Sequence, residues 1–407
     1  MCTHCDIDLI AGPSDAVIDP GRRRLLLGGL ATGGLAAFGP MRPLAAEPGL
    51  DEVVRIGYLP ITDATALLVA HANGYFEEQG LKVERPTLIR GWSPLVESFA
   101  AGKFNLVHLL NPIPVWMRYN NHFPVKITAW AHVNGSAMVV GRHVEAKGFG
   151  DLGRRQIAVP YWYSIHNILA QAGLRHAGLK PVIRPQSEPL AADEVNLQVL
   201  APSDMPPALA ARKIDGYIVA EPFDAAGELL VGAKVLRFTG DIWENHPCCV
   251  ICMNERQIQL DPQWVQKAIN ALVQAEIYAQ RHKEEVAVML SRDGKGYLPM
   301  PADVVVRAMT HYGVEYYPNA IHHPAWDIGR IDFHPYPFPS ATQRLVEYMS
   351  QTLVAGDTAF LERLEPGFVA SDLVDYRFIQ AAMRRYPGSD GGAQDGNPFV
   401  RGEVIAI

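Results

Sequence analysis

Three cysteines stand within five positions, in the run Cys248-Cys249-Val250-Ile251-Cys252. Thiolates bind soft metal ions and act as nucleophiles, so this run is a candidate for metal or thiol chemistry. If the run forms a strand, Cys248 and Cys252 share one face and Cys249 lies on the other. Cysteine is also among the residues most often buried as a small apolar side chain. We favour the packing role for all three, and we expect neither a metal site nor a cofactor.

Polar residues at the ends of predicted strands and the starts of predicted helices form a second set of candidates. The strand Tyr217–Ala220 ends at Glu221, and His166 falls in the first turn of a helix that begins at Ser164. Ligands of open α/β sheets lie beyond the carboxyl ends of strands, and helix N-termini offer free backbone N–H groups. We therefore expect Glu221 and His166 to contact a ligand. A salt bridge at a hinge is an equally good role for Glu221, and capping is the alternative for His166.

The same reasoning applies to Thr62 and Asp63, which begin another predicted helix. Four aromatic residues lie in loops beyond predicted strand ends: Trp92, Tyr161, Trp162 and Tyr163. Aromatic side chains in such loops form pocket walls more often than core, and they suit a flat ligand. We expect two of the four to contact the ligand and assign Trp92 and Tyr161 to the pocket. His108 and Asn111 end a strand, where a buried structural hydrogen bond is the expected role.

Strands and helices alternate along the chain after about residue 47, which predicts an α/β fold with mostly parallel sheets. One block of alternating elements begins at Val53 and a second at Gln156. The β-rich stretch Val125–His143 joins the blocks, and Thr239–Pro247 is the predicted return connection. We therefore predict two lobes, with residues 47–135 and 245–386 in lobe I and residues 136–244 in lobe II. Residues 387–407, rich in Gly, Asp and Pro up to Pro398, are predicted to be a flexible tail.

The order and spacing of several motifs resemble those of the nitrate/bicarbonate/sulfonate class of ABC-transporter substrate-binding proteins. The segment from Asp215 to Pro247 resembles the EP(F/W)(D/N)A…TGELW…HPE run of that class. Further likenesses are the runs Arg55–Asp63, Asn73–Phe76, His108–Pro114, Val133–Gly135 and Tyr336–Ser340. The resemblance implies a type II periplasmic binding fold, in which two lobes joined by two crossings close on a small molecule. It also implies an ABC permease in the inner membrane as partner.

The resemblance further implies which residues hold the ligand. In that class an oxyanion contacts a Trp, a Gln after the hinge Asn-Gly, a His at a helix start in the second lobe, and a Lys in an HPEK run. By position Trp92 and His166 match, Ser136 replaces the Gln, and Cys248-Cys249 replace Glu-Lys. The lysine is a fixed positive charge that offsets the cost of burying an anion. Its replacement by Cys249 favours a small organic nitrogen or sulfur compound over nitrate as ligand.

Two other classes of protein remain as alternatives. The cysteine run resembles the CCCFC run of thiamin-pyrimidine synthases, which implies a metal-dependent enzyme with iron. Some members of the transport class without an export signal are ligand sensors. The chain has no nucleophile elbow, phosphate loop or zinc-finger spacing, so we expect a binding protein and not an enzyme.

The N-terminal residues indicate where in the cell the protein is located. Gly21-Arg22-Arg23-Arg24 precedes an apolar, glycine-rich stretch and the small-residue run Leu44-Ala45-Ala46. This layout is typical of a twin-arginine signal peptide, predicted here over residues 1–46, and it predicts a periplasmic protein. A formal net charge of −7 argues against a nucleic-acid partner. We expect a monomer.

Overall fold

The computed structural model describes residues 53–388 and 397–407, so the predicted signal peptide lies outside the described residues. Strands and helices alternate over this part of the chain and build two large mixed sheets and two two-stranded pairs. Within the described residues, no helix combines the length and the apolar character needed to cross a bilayer.

The strands are short, with two to six residues each. In chain order they are β1 (Val53–Val54), β2 (Ile56–Tyr58), β3 (Lys82–Val83), β4 (Thr87–Leu88), β5 (Leu106–Leu110), β6 (Val125–Trp130), β7 (Val133–Asn134), β8 (Ser136–Val140), β9 (Gln156–Val159), β10 (Lys180–Val182), β11 (Glu194–Val199), β12 (Gly216–Ala220), β13 (Lys234–Phe238), β14 (Cys249–Asn254) and β15 (Ile331–Asp332).

The α-helices follow the strands in the first two thirds of the chain and dominate the last third. In chain order they are α1 (Thr65–Ala72), α2 (Tyr75–Glu78), α3 (Trp92–Ala100), α4 (Pro112–Tyr119), α5 (Ile165–His176), α6 (Met205–Ala210), α7 (Phe223–Val231), α8 (Glu255–Leu260), α9 (Pro262–Arg281), α10 (Lys283–Leu290), α11 (Ala302–Thr310), α12 (Pro339–Met349), α13 (Pro366–Leu373) and α14 (Tyr376–Arg385). Short 3₁₀ turns occur at Thr62–Ala64, Phe149–Leu152, Pro202–Asp204 and Ala359–Arg363.

The first sheet has five strands in the order β4-β2-β5-β14-β6. Strand β2 is parallel to β4 and β5, whereas β14 is antiparallel to both of its neighbours. Every residue of β5 is buried, as expected for a strand covered on both faces. The register pairs Cys249 with Leu110, the last residue of β5. The start of β14 therefore lies at the edge where the parallel strands end.

The second sheet has six strands in the order β10-β11-β9-β12-β8-β13. The strands β10, β11, β9 and β12 are parallel, and β8 is antiparallel to both β12 and β13. Ser136, the first residue of β8, pairs with Ala220, the last residue of β12. Both sheets thus place the start of one antiparallel strand at the carboxyl end of a parallel neighbour.

The chain passes from one sheet to the other twice. Residues 131–135 connect β6 to β8, and residues 239–248 connect β13 to β14. The two crossings are bonded to each other, since the Asn134 N–H donates to the His246 carbonyl over 3.0 Å. Asn134 and Gly135 adopt φ angles of 60° and 78°, in the left-handed region that glycine and asparagine tolerate. The crossings therefore form one junction between the sheets.

Residues 397–407 differ from the prediction of a flexible tail. Trp243 Nε1 donates to Glu403 Oε2 over 2.7 Å, and Ser340 Oγ donates to Glu403 Oε1 over 2.7 Å. Ile405 also forms a β-bridge with Trp243. This end of the chain is packed because a carboxylate and an apolar side chain have partners on the second crossing and on α12. Residues 389–396 of the predicted tail lie outside the described residues.

A tight contact between the two crossings generates a prediction. A Cβ atom on Gly240 would lie 2.7 Å from Asn134 Oδ1 and 2.8 Å from its Cγ. We expect Gly240→Ala to reduce the free energy of unfolding by about 1–3 kcal/mol, because the added methyl separates the crossings. Denaturant unfolding measures this change. Gly148→Ala is the control, since a Cβ there has no atom within 4 Å; equal stability of the two variants would contradict the prediction.

Candidate functional site

The candidate site lies where the two crossings meet the carboxyl end of β5. The first crossing contributes His132 and leads into Ser136, and the second contributes Cys248 and leads into Cys249. Asp63 reaches the same place from the 3₁₀ turn before α1. All five side chains are buried. Three separate segments therefore bring polar side chains to one point between the sheets.

Local capping places His166 at this point from the second sheet's side. Ser164 is extended, and its hydroxyl oxygen accepts a hydrogen bond from the Asn167 N–H over 3.0 Å, which starts α5. His166 is thereby fixed in the first helical turn, where its Nε2 lies 2.8 Å from Ser136 Oγ. Cys248 Sγ is 3.9 Å from His166 Nε2 and 3.8 Å from Ser136 Oγ.

The centre of the site is a cluster of one carboxylate, one imidazole and two thiols. Asp63 Oδ2 lies 2.9 Å from His132 Nε2, 3.0 Å from Cys249 Sγ and 3.4 Å from Cys248 Sγ. One ligand-type atom from each of these four residues lies within 4.8 Å of the other three. Asp63 Oδ1 has no hydrogen-bond partner among the described residues. The four side chains are those that bind soft divalent metals.

Burial and neighbouring charges shift the pKa values of Asp63 and His132. Burial raises the pKa of Asp63 to about 6, even though the His132 charge opposes that shift. Burial lowers the pKa of His132, but the Asp63 carboxylate outweighs that effect and raises the pKa to about 10. At neutral pH the two side chains form a buried ion pair.

The two adjacent thiols are shifted in opposite directions. Burial raises the pKa of both thiols. For Cys249 the neighbouring Cys248 and Asp63 raise it further, so its pKa lies well above the usual range. The hydrogen bond from Cys249 and the proximity of His166 and His132 lower the pKa of Cys248 well below its usual range. Cys248 therefore ionises more easily than Cys249, and both sulfur atoms face the Asp63 carboxylate at a fully buried position.

A second group of side chains offers N–H donors. His108 Nε2 accepts a hydrogen bond from the Leu59 N–H over 3.0 Å, so the ring proton is on Nδ1. Burial lowers the pKa of His108 to about 3, which keeps the ring neutral. The Trp92 indole meets the His108 ring edge-on, with ring centroids 5.6 Å apart. Trp92 Nε1, His108 Nδ1 and the Asn111 amide are buried without hydrogen-bond partners among the described residues.

Asn111 connects the donor group to the cysteine cluster. Its backbone N–H donates to the Cys248 carbonyl over 2.9 Å, and it follows β5 directly. We expected only structural roles for His108 and Asn111. His108 makes the expected buried hydrogen bond, with the Leu59 N–H, but its Nδ1 and the Asn111 amide have no partner among the described residues. The buried end of β5 thus carries donors, whereas the start of β14 carries thiols.

The structure brings together Asp63, Ser136, His166 and Cys249 of the predicted ligand contacts. Glu221 is not among them, and its expected ligand contact is replaced by a contact within the protein. Glu221 Oε1 accepts from the buried Arg330 guanidinium, and Oε2 accepts from the Ala225 N–H over 3.0 Å. Both oxygens are therefore engaged, in the salt-bridge arrangement that was the alternative role.

Thr62 is also engaged within the protein. Its hydroxyl donates to the Glu221 carbonyl over 3.1 Å, and its backbone N–H donates to the same oxygen over 2.8 Å. This contact ties the turn before α1 to the end of β12 in the second sheet. Thr62 therefore links the two sheets, and its hydroxyl is not free for a ligand.

The loop aromatics have different surroundings. Trp92 belongs to the donor group. Burial raises the pKa of the half-buried Tyr161, and its contact with Ser93 in α3 opposes that shift. Tyr163 stacks on Trp116, with centroids 5.6 Å apart. Trp162 packs against the core of the second sheet. The ligand contact of Tyr161 stays a prediction.

Two residues of the site were missed from sequence. His132 stands two positions before the left-handed Asn134, and a histidine beside a predicted hinge was the available signal. Arg330 lies 109 residues from Glu221, and nothing near it in sequence marks it as that residue's partner.

The family comparison agrees with this architecture. Residues 47–291 match the model of the NMT1-like family, and the chain belongs to this family. The expected resemblance to nitrate- and sulfonate-type substrate-binding proteins of ABC transporters is confirmed, as is the periplasmic binding fold.

Individual relatives are distant. The nitrate/nitrite binding protein NrtA of Nostoc sp. is 24% identical over 278 residues, which are 62% of this chain and 60% of NrtA. The match thus spans less than two thirds of that relative. The solved NrtA of Synechocystis PCC 6803 has a TM-score of 0.67 at 16% identity, over 83% of this chain and 89% of its own. A zinc-bound ligand-binding component of an ABC-type import system from Staphylococcus aureus has a TM-score of 0.64 at 18% identity. The match covers 82% of this chain and 100% of that protein. At these identities both structures show the fold alone.

The buried ion pair of Glu221 generates a prediction for stability. Burial raises the pKa of Glu221 to about 7, while the Arg330 guanidinium opposes that shift. Arg330→Met removes the compensating charge, so we expect the free energy of unfolding to fall by about 3–5 kcal/mol. Denaturant unfolding is the measurement.

A double variant and a surface variant make this test specific. Adding Glu221→Gln to Arg330→Met should recover part of the loss, because the fully buried carboxylate is removed and only the less buried Glu228 still lacks its Arg330 contact. Arg292→Met is the control, since the Arg292–Asp293 pair is exposed and contributes little. A loss in Arg330→Met no larger than in the control would refute the assignment.

Proposed function

We propose that the chain is the substrate-binding component of an ABC importer, and that it captures a small oxygen-rich solute of the nitrate or sulfonate type between its two sheets. The observation that carries the proposal is the set of buried, unused donors on Trp92, His108 and Asn111 at the carboxyl end of β5. Buried polar groups are normally hydrogen-bonded, so unused donors indicate a place for acceptor atoms. The NMT1-like family membership and the nitrate/nitrite-binding relative support the same class.

The donors favour recognition by hydrogen bonds over recognition by a fixed charge. Cys249 occupies the position where the resemblance implies a lysine, and both it and Cys248 face the Asp63 carboxylate. A solute with spread charge and several acceptor oxygens, such as a sulfonate, suits neutral N–H donors better than a compact anion does. A planar organic body would lie against the Trp92 indole.

Capture requires that the sheets separate and close again. We propose the lobes 47–135 with 245–386 and 136–244, which follow the strand membership of the two sheets. The contacts from Thr62 to the Glu221 carbonyl and from Tyr161 to Ser93 join the sheets and would break on opening. The crossings, which are bonded to each other, would bend as the hinge. The closed form would present both lobes to a permease.

The proposed location is the periplasm, reached through the twin-arginine pathway as a monomer. The paired arginines of residues 22–24 and the run to residue 46 support this route. Replacing Arg22, Arg23 and Arg24 by Lys should retain the precursor in the cytoplasm, with cell fractionation as the readout. Equal export of this variant would exclude the twin-arginine route.

A direct binding measurement tests the proposed function. Isothermal titration calorimetry of the purified protein against nitrate, nitrite, bicarbonate, taurine and alkylsulfonates should identify a compound that binds with 1:1 stoichiometry. Trp92→Phe keeps an aromatic ring and removes the N–H donor. We expect it to weaken binding of that compound by about 10- to 100-fold, since a hydrogen bond to a charged group contributes about 1.5–3 kcal/mol.

The control for this test is Trp326→Phe. Trp326 stacks on His323, with centroids 4.3 Å apart, and belongs to neither the donor group nor the cysteine cluster. Unchanged affinity in Trp92→Phe would contradict the donor assignment. If the panel, extended to pyrimidines and nitriles, gives no binding compound at all, the proposed class of solute is wrong.

We infer no enzymatic reaction. The alternative from sequence was a metal-dependent enzyme, for which a metal needs an open coordination position. The cysteine cluster offers four protein ligand atoms to one point, which would fill a tetrahedral centre. This arrangement supports binding or stabilisation in preference to catalysis.

A further inference from the structure

Four buried side chains of metal-ligand type converge at the junction of the crossings. Asp63, His132, Cys248 and Cys249 each offer one atom, and these four atoms lie within 4.8 Å of one another. They come from three segments that are far apart in sequence and that belong to the turn before α1 and to the two crossings. None of the four has exposed surface.

We propose that these four side chains bind one divalent transition-metal ion of the zinc class. Two thiolates, an imidazole and a carboxylate form a donor set that prefers such ions to calcium or magnesium. This site goes beyond the solute-binding function, because the donors on Trp92 and His108 are not among its ligands.

The distances fit a tetrahedral centre. Zinc lies about 2.3 Å from thiolate sulfur and about 2.0 Å from imidazole nitrogen or carboxylate oxygen, so neighbouring ligand atoms are about 3.3–3.8 Å apart. The separations from Asp63 Oδ2 are 2.9 Å to His132 Nε2, 3.0 Å to Cys249 Sγ and 3.4 Å to Cys248 Sγ. The Cys248 distance falls within this range, and the other two atoms reach it if the cluster opens by a few tenths of an ångström.

Hydrogen bonding within the cluster is incomplete. The thiols of Cys248 and Cys249 both point to the same Asp63 Oδ2, which leaves Asp63 Oδ1 without a partner among the described residues. Neither ring nitrogen of His132 has a hydrogen bond of acceptable geometry within that part of the chain. Unsatisfied buried polar atoms are costly, and a cation in the cluster gives one His132 ring nitrogen and the Asp63 carboxylate a partner.

The backbone holds the four ligands in place. The Ala131 N–H donates to the Cys249 carbonyl and the Asn111 N–H donates to the Cys248 carbonyl, each over 2.9 Å. The crossing that carries His132 is thus bonded to the strand that carries the cysteines. A Cβ on Gly135 would lie 3.1 Å from His132 Nδ1, so this glycine leaves the imidazole its room. The backbone of the two cysteines is therefore fixed against the first crossing and the end of β5.

All four coordination positions come from the protein, which is the arrangement of a structural site. A metal there would cross-link the turn before α1 to both crossings. Cys252 lies on the same strand and is also buried, but it is not part of the cluster. It provides a matched control for each cysteine variant.

Cobalt substitution tests the proposal. The purified full chain is stripped with a chelator under reducing conditions and titrated with Co²⁺. We expect one Co²⁺ per chain, with near-ultraviolet thiolate-to-cobalt charge-transfer absorption and the intense visible bands of a tetrahedral centre. Zn²⁺ should displace the cobalt and abolish these bands. Cys248→Ser and Cys249→Ser should each lose at least half of the charge-transfer intensity, whereas Cys252→Ser should retain all of it.

The outcomes separate this site from the solute site. Absent or octahedral cobalt bands in the wild-type chain, or bands equally reduced in Cys252→Ser, would overturn the proposal. A Cys248–Cys249 disulfide found by mass spectrometry in metal-free protein purified without oxidant would also overturn it. Circular dichroism checks that the variants fold; if they do not, the wild-type stoichiometry and band pattern decide alone. Calorimetry with solutes is a separate readout, so the failure of one proposal leaves the other testable.

Discussion

Complete burial of charged side chains at the junction of the crossings is the constraint on which the rest of the site depends. A buried charge without compensation costs several kcal/mol, so each acidic group there needs a partner. Glu221 has one in Arg330, whose guanidinium also contacts Glu228 and Tyr317. That network is satisfied by the protein alone, and its role is to hold the end of β12 against the segment around β15.

The negative charge of Asp63 in the cysteine cluster is compensated differently. Its positive partner is His132, and the remaining neighbours of its carboxylate are thiols. Acceptor-type atoms therefore gather at the crossings, whereas unused N–H donors gather around Trp92 and His108. This separation gives the cleft two chemically distinct places: donors suit the oxygens of a solute, and thiolates with a carboxylate suit a cation.

The sequence predicted the helices and strands better than it predicted which side chains contact each other. The predicted strand Tyr217–Ala220 lies within β12, and the helix predicted to begin at Ser164 is α5, because these features depend on local composition and turn chemistry. The helix predicted to begin at Thr62 and Asp63 starts instead as a 3₁₀ turn, and α1 follows it from Thr65 to Ala72. The Glu221–Arg330 pair and the approach of His132 to Asp63 depend on tertiary packing between distant segments. No local pattern specifies such contacts, so the sequence located several site residues without assigning their roles.

The cysteine at position 249 is best understood together with its neighbours. The resemblance implies a lysine there, and exchanging it for cysteine alone would remove a positive charge beside the buried Asp63 carboxylate. A change of that kind is tolerated only if another group compensates. His132 carries that compensating charge, and Cys248 adds a second soft ligand atom on the adjacent residue. Cys249 is therefore one of four buried side chains of metal-ligand type that three segments bring together, and its position is best explained by that cluster as a whole.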